Sequence, residues 1–193
     1  MSNNIKIIKI EPCESSLYIS LKRVTYIQDN IEKTWDIATT HDSVSILLYH
    51  EEKESFLLVK QFRPAVFVNN HDDNDGFTYE LCAGLMDKNL SEKQTIKEEV
   101  LEECGYEIEL ENIIKINSTY SNLGISGSKQ SVFFAFINES MKKNSGGGVE
   151  GENIELYYLH RSRAKEFIYD ENMPKASGLI FCLMWFFEKE NSL

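Results

Sequence analysis

Gly84-Leu85-Met86-Asp87-Lys88-Asn89-Leu90-Ser91-Glu92-Lys93-Gln94-Thr95-Ile96-Lys97-Glu98-Glu99-Val100-Leu101-Glu102-Glu103-Cys104-Gly105-Tyr106 is the stretch on which the reading of this chain turns. Ser91-Glu92-Lys93-Gln94 is an S-x-x-Q capping box, in which two side chains satisfy free amides at a helix start. Gly105 follows Cys104, where a left-handed residue stops a helix. The spacing predicts a helix from Ser91 to Cys104. At about 100° per residue, Ile96, Val100, Leu101 and Cys104 share one arc. Glu98, Glu99, Glu102 and Glu103 share the opposite one. These acids are neighbours at three- and four-residue spacing, and each like-charged pair costs an isolated helix roughly 0.2–0.5 kcal/mol. They also crowd the second half of the helix, where the macrodipole disfavours negative charge. Either the face is merely solvated, or a divalent cation such as Mg²⁺, which takes oxygen ligands, relieves it.

Outward from that helix, the chain has 193 residues, 20 Lys+Arg against 31 Asp+Glu, and a formal net charge of −11. The length suits one ordinary domain with room for a small extra element, and hydrophobic residues at 42% supply a core. A strongly acidic chain repels phosphate backbones, which argues against nucleic-acid binding. A phosphorylated substrate would need local rescue by arginine, lysine or a divalent ion. Cys13, Cys82, Cys104 and Cys182 are scattered with no CxxC pair, which disfavours zinc and suits a reducing cytoplasm. The longest apolar run, Gly178 to Phe187, is about half the roughly 20 residues of a membrane span. It reads as a buried C-terminal helix, so no membrane partner is expected.

Strands are expected at Asn4 to Ile10, Leu17 to Gln28 and Ile31 to Ile37, the last two joined by an Asp29-Asn30 turn. Val44 to Tyr49 and Phe56 to Phe62 form a second pair. Asn69 to Gly76 carries no apolar residue and reads as a solvated loop. Further strands are expected at Ile113 to Tyr120, Ser131 to Ile137 and Ile154 to Leu159. Ser145-Gly146-Gly147-Gly148 marks a mobile loop between the last two. Helices near Ser162 to Tyr169 and Lys175 to Glu190 close the chain. The order predicts an α+β sandwich.

Gly84-x20-Gly105 with Glu99-Val100-Leu101-Glu102-Glu103-Cys104-Gly105 resembles the box of the Nudix hydrolases, G-x5-E-x7-R-E-U-x-E-E-x-G-U, where U is bulky and apolar. Both glycines, the three metal-binding glutamates, Val100 and Tyr106 match. Leu90 stands at the first Glu position and Glu98 at the Arg position, where the family arginine orients the acids. Glu98 reads here as filling a solvent-facing slot. Thr40 to Val44, Lys60 to Val66 and Tyr79 to Leu85 resemble the nucleotide-sugar branch of that family, as do Leu123 to Ser128 and Gly146 to Glu150. That resemblance implies a Nudix fold, a mixed β-sheet sandwiched between helices, over residues 43–193. It also implies an N-terminal antiparallel strand region, residues 1–42, that exchanges across a homodimer.

It implies roles as well. Glu99, Glu102 and Glu103 would hold Mg²⁺ (Mn²⁺ being the other candidate), together with the carbonyl of Ala83. Arg63 would contact phosphate and Glu80 would line the substrate side. Of the loop acids, Glu150 would act as base and Glu152 as a further metal ligand. The implied activity is hydrolysis of a nucleoside diphosphate sugar, UDP-glucose or ADP-ribose, to a nucleoside monophosphate and a sugar phosphate. The alternative is a nucleotide-sugar sensor that binds without turnover.

Overall fold

Residues along Ser43–His50 (β3) alternate between the two faces of a sheet, Val44, Ile46 and Leu48 on one side and Leu47 and Tyr49 on the other. The computed structural model describes residues 5–70, 75–149, 151–190 and 192. In it, β3 is the central strand of a seven-stranded sheet with Ser55–Phe62 (β4), Phe77–Glu80 (β5), Cys82–Leu85 (β6), Ile114–Ser121 (β7), Ser128–Ile137 (β8) and Glu155–His160 (β9). The strand order is β5-β4-β3-β8-β7, with β6 also pairing β3 and β9 pairing β4. Only β3 and β8 run parallel; the other pairs are antiparallel.

One face is covered by Glu92–Glu99 (α2), which continues without a break into a π-helical turn at Val100–Cys104. Ile96, Val100, Cys104 and Tyr106 pack there against Val44, Ile46, Leu57 and Phe133. The other face carries Arg161–Tyr169 (α3) and Ser177–Lys189 (α4), whose Phe167, Leu179, Leu183 and Phe186 meet Leu47, Phe56, Leu58 and Phe134. Helices thus lie on both faces of a mixed sheet, the expected α+β sandwich. No helix among the described residues is long and apolar enough to cross a membrane.

The sheet forks, and the fork positions the site. β3 pairs β4 only from Leu48 to His50; from Ser43 to Ile46 it pairs β6 instead. The far half of β4, Val59 to Phe62, turns to β5. β5 and β6 were not legible as strands because each has only four residues. The short helix Pro64–Asn69 (α1) was also unforeseen; proline at its first position fits the φ a helix start requires.

The N-terminal part departs from expectation. Residues 5–10 form no strand, and residue 4 lies outside the described set. Ile8 and Ile10 are exposed, with no neighbouring strand for this segment to pair with. Ser20–Gln28 (β1) begins three residues later than expected because the Ser16 hydroxyl accepts the amides of Tyr18 and Ile19. It pairs antiparallel with Ile31–Thr39 (β2) as a separate two-stranded sheet. Asp29 and Asn30 both take positive φ, as the tight turn between twisted strands requires. Trp35 Nε1 donates to the Gly124 carbonyl at 2.8 Å and the Ala38 amide to that of Ile125 at 2.9 Å, joining this hairpin to the 122–127 loop.

Candidate active site

At the fork lies a cavity of about 530 Å³. Arg63, Glu80 and Gln61 form one wall, and Ala83, Gly84, Glu99, Glu102 and Glu103 the other. Val149 and Glu152 from the glycine-rich loop complete it, with Asp87 and Lys88 at the mouth of α2. Every described side chain singled out from the sequence as a site residue therefore reaches one concavity. Glu150 and His71 lie outside the described residues.

Gly84 explains how the helix comes so close to β6. A Cβ at that position would fall 2.1 Å from Glu99 Oε1, so the Glu99 side chain occupies space that only glycine leaves open. Beside it, Glu103 Oε2 accepts the Ala83 amide at 3.1 Å. Of the two readings of the acidic face, the merely solvated one does not hold: Glu103 is buried and Glu99 half-buried. An isolated 100° wheel cannot register this, because β6 covers what the wheel labels the polar side. The helix also changes pitch. The π-helical turn carries Glu102 and Glu103, and such turns often mark functional sites.

Burial and charge act together on the two acids. Burial raises the Glu103 pKa to about 7, although the Cys82 thiol and the Ala83 amide pull the other way. Glu99 also rises to about 7, through burial and then the nearby Glu102 charge, with Lys88 opposing. The Cys82 thiol is itself pushed well above its usual range by burial. Its contact with Glu103 had no signal in the sequence, since a lone cysteine reads as core.

Arg63 and Glu80, expected as separate contacts, are one unit. Arg63 Nε and Nη2 donate to the two Glu80 oxygens at 2.7 and 2.6 Å, and Thr78 Oγ1 donates to the first at 2.5 Å. Glu80 is 15% exposed and Arg63 46%, so the carboxylate is the buried brace and the guanidinium the group presented to the cavity. The fork geometry holds the guanidinium plane while leaving Nη1 outside these two bonds.

The glycine loop, expected to be mobile, is tied to the helix end. The Gly147 amide donates to the Glu103 carbonyl at 2.8 Å and the Gly148 amide to that of Glu102 at 3.2 Å. Asn144 Nδ2 reaches the Leu101 carbonyl, and the Lys143 amide that of Gly105. These carbonyls are the ones a helix end leaves unsatisfied. Gly146 cannot carry a side chain, since its Cβ would lie 2.3 Å from the Glu103 carbonyl oxygen. Glu152 Oε2 accepts the Val149 amide at 3.0 Å.

The available donors (carboxylates and the Ala83 carbonyl) are all oxygen, which suits a hard divalent cation rather than zinc. Burial, with neighbouring negative charge, raises two carboxyl pKa values to about 7, and a bound cation relieves both. Among the described residues no three such side chains already converge at ligand distance. The residue types and their placement fit a divalent metal.

The NUDIX domain family model matches residues 39–176. The chain belongs to the Nudix hydrolase family. Among curated relatives it is 34% identical to uridine diphosphate glucose pyrophosphatase of Bos taurus, with 93% of each chain covered. The Mus musculus protein of the same name is 33% identical over 92% of this chain and 91% of its own. GDP-mannose pyrophosphatase of Salmonella arizonae is 35% identical, with 86% of each covered.

The raised carboxyl pKa values fix the sign of a pH effect. Glu99 and Glu103 keep protons in the folded state that the unfolded chain releases near its ordinary value of 4.5. Their protonated forms therefore favour folding fully below about 4.5, and this contribution is lost as pH rises through about 7. Glu103→Gln mimics the protonated acid. In chelator, its urea-unfolding stability should gain on wild type between about pH 4.5 and 7 and level off above that. A margin independent of pH would refute the buried-acid assignment.

Proposed function

We propose that this protein hydrolyses the diphosphate of a nucleoside diphosphate sugar with the aid of Mg²⁺, Mn²⁺ being the other candidate ion. UDP-glucose is the first candidate substrate, with GDP-mannose and ADP-ribose as competitors. The observation that carries the reading is the pairing, across one cavity, of buried high-pKa carboxyls with a braced arginine. The names of the relatives support the substrate class. Free buried cysteines suit a cytoplasmic setting.

Glu99, Glu102, Glu103, Glu152 and the Ala83 carbonyl would hold the metal. Bound there, it would neutralise the diphosphate and make the attacking water more acidic. Glu150 takes the proton of that water. Arg63, held in plane by Glu80, stabilises charge on the departing phosphate. Gly84 and the loop amides of Gly147 and Gly148 keep the acids at fixed height above β6. The water oxygen joins one phosphorus as the bridging oxygen leaves with the other. A nucleoside monophosphate and a sugar phosphate result.

Purified protein with Mg²⁺, offered UDP-glucose, GDP-mannose, ADP-ribose and a nucleoside triphosphate in parallel, should release monophosphate and sugar phosphate from the nucleotide sugars. Glu103→Gln should cost at least about two orders of magnitude in kcat while remaining folded. Turnover confined to the triphosphate would overturn the substrate class. Tight binding of a nucleotide sugar with no turnover would instead identify a sensor.

The same reading makes residues 1–42 a dimerising region and the rest the hydrolase domain. Leu21, Ile27, Ile31 and Trp35 are exposed on the β1–β2 hairpin. A groove of about 460 Å³ runs between it and Ile125, lined by Leu21, Ile37 and Ala38. Apolar exposure and open strand edges of this kind call for a cover, and a second copy supplies it. Light scattering at micromolar concentration should give a dimer, and Leu21→Glu with Ile27→Glu a monomer. A monomeric wild type would refute the interface.

A further inference from the structure

Two positions of the Nudix box are changed in this chain, and the structure brings one of them against a residue no motif marks. Where the box has an acid on the loop and an arginine on the helix, this chain has Leu90 and Glu98. Lys88, two residues before Leu90 on the loop, donates through Nζ to Glu98 Oε2 at 3.1 Å. Loop and helix are thus linked by an ion pair with the base on the loop and the acid on the helix. Lys88 also lines the same cavity as Glu99 and Glu102.

The placement matters more than the strength. Both partners are half exposed, 50% and 45%, and an exposed pair adds little to stability. The loop is tied at its β6 end by the Met86 amide to the Asp42 carbonyl and at its helix end by the capping box. Between these, Leu90 turns its amide back to the Lys88 carbonyl at 2.9 Å. Lys88 thus reaches from a fixed point to the residue directly before Glu99. It also engages the Glu98 carboxylate, which lies next to the acids that face the cavity.

We propose that Lys88 is a positioning residue that replaces the missing helix arginine from the loop side, with Glu98 as its partner. This rests on the metal-dependent hydrolase reading. Loss of the link should disturb the acids that bear on the reaction, with little change in folding.

A charge-swap cycle tests it. Lys88→Glu and Glu98→Arg each place like charges together, and each should lower kcat about tenfold, as small misplacements of catalytic groups do. The double variant should recover to within about twofold, because opposite charges face each other again. Mn²⁺ affinity, read by electron paramagnetic resonance without substrate, separates geometry from field. The added negative charge should tighten Mn²⁺ binding in Lys88→Glu and the added positive charge weaken it in Glu98→Arg, yet kcat should fall in both. If kcat also moves in opposite directions, or neither variant changes more than twofold, or the double fails to recover, the inference is overturned. A wild-type protein that neither binds Mn²⁺ nor cleaves any nucleotide sugar would overturn the hydrolase reading itself.

Discussion

The close seat of an acidic helix on a strand without side-chain bulk is the constraint from which the rest of the molecule follows. Glu99 lies where a Cβ at residue 84 would be, and Glu103 rests on the neighbouring amide. Carboxylates brought this far out of water lose hydration that only protons, amides or a cation can replace. The Ala83 amide supplies part of that to Glu103 and leaves both acids poised near neutral pH. The apolar half of the helix compensates by burying Ile96, Val100 and Cys104 against β3 and β8. Functional cost and structural gain are thus carried by two faces of one helix.

Much of this could be read from the residues alone. The capping box at Ser91 and the stop at Gly105 are local signals and formed as expected, with Gly105 at φ 79°. The cost of crowded charge marked Glu98, Glu99, Glu102 and Glu103 alike, and the resemblance to the family box singled out the last three. Short apolar runs bounded by polar turns marked β3, β4, β8 and β9, and β3, β4 and β8 are largely buried on both faces. The sandwich itself followed from the order of those elements.

What stayed hidden depends on neighbours distant in sequence. β5 and β6 are too short to show a period, and they become strands by pairing with β4 and β3. An apolar N-terminal stretch, residues 5–10, has strand-like composition but no partner, and composition cannot supply one. Glu80 was legible as a site residue, yet its bond to Arg63 joins β5 to the end of β4 across the fork. The loop carrying Gly147 looked mobile because glycines have freedom in isolation; the carbonyls that remove it belong to the far helix. Lys88 could not be singled out at all, since a lysine in a polar loop has no distinguishing pattern.

The parallel pairing of β3 with β8 sets an order of events for a newly made chain. Ser43 lies opposite Gln130, so the centre of the sheet joins segments far apart along the chain. Such a contact requires a long loop to close before it yields anything, which slows folding. The β1–β2 hairpin is joined by a two-residue turn and can form while the ribosome is still producing the helix. On a nascent chain, the exposed apolar surface of this hairpin is therefore on display before the acidic cavity exists. The excess of acidic residues, by keeping chains apart, protects that interval.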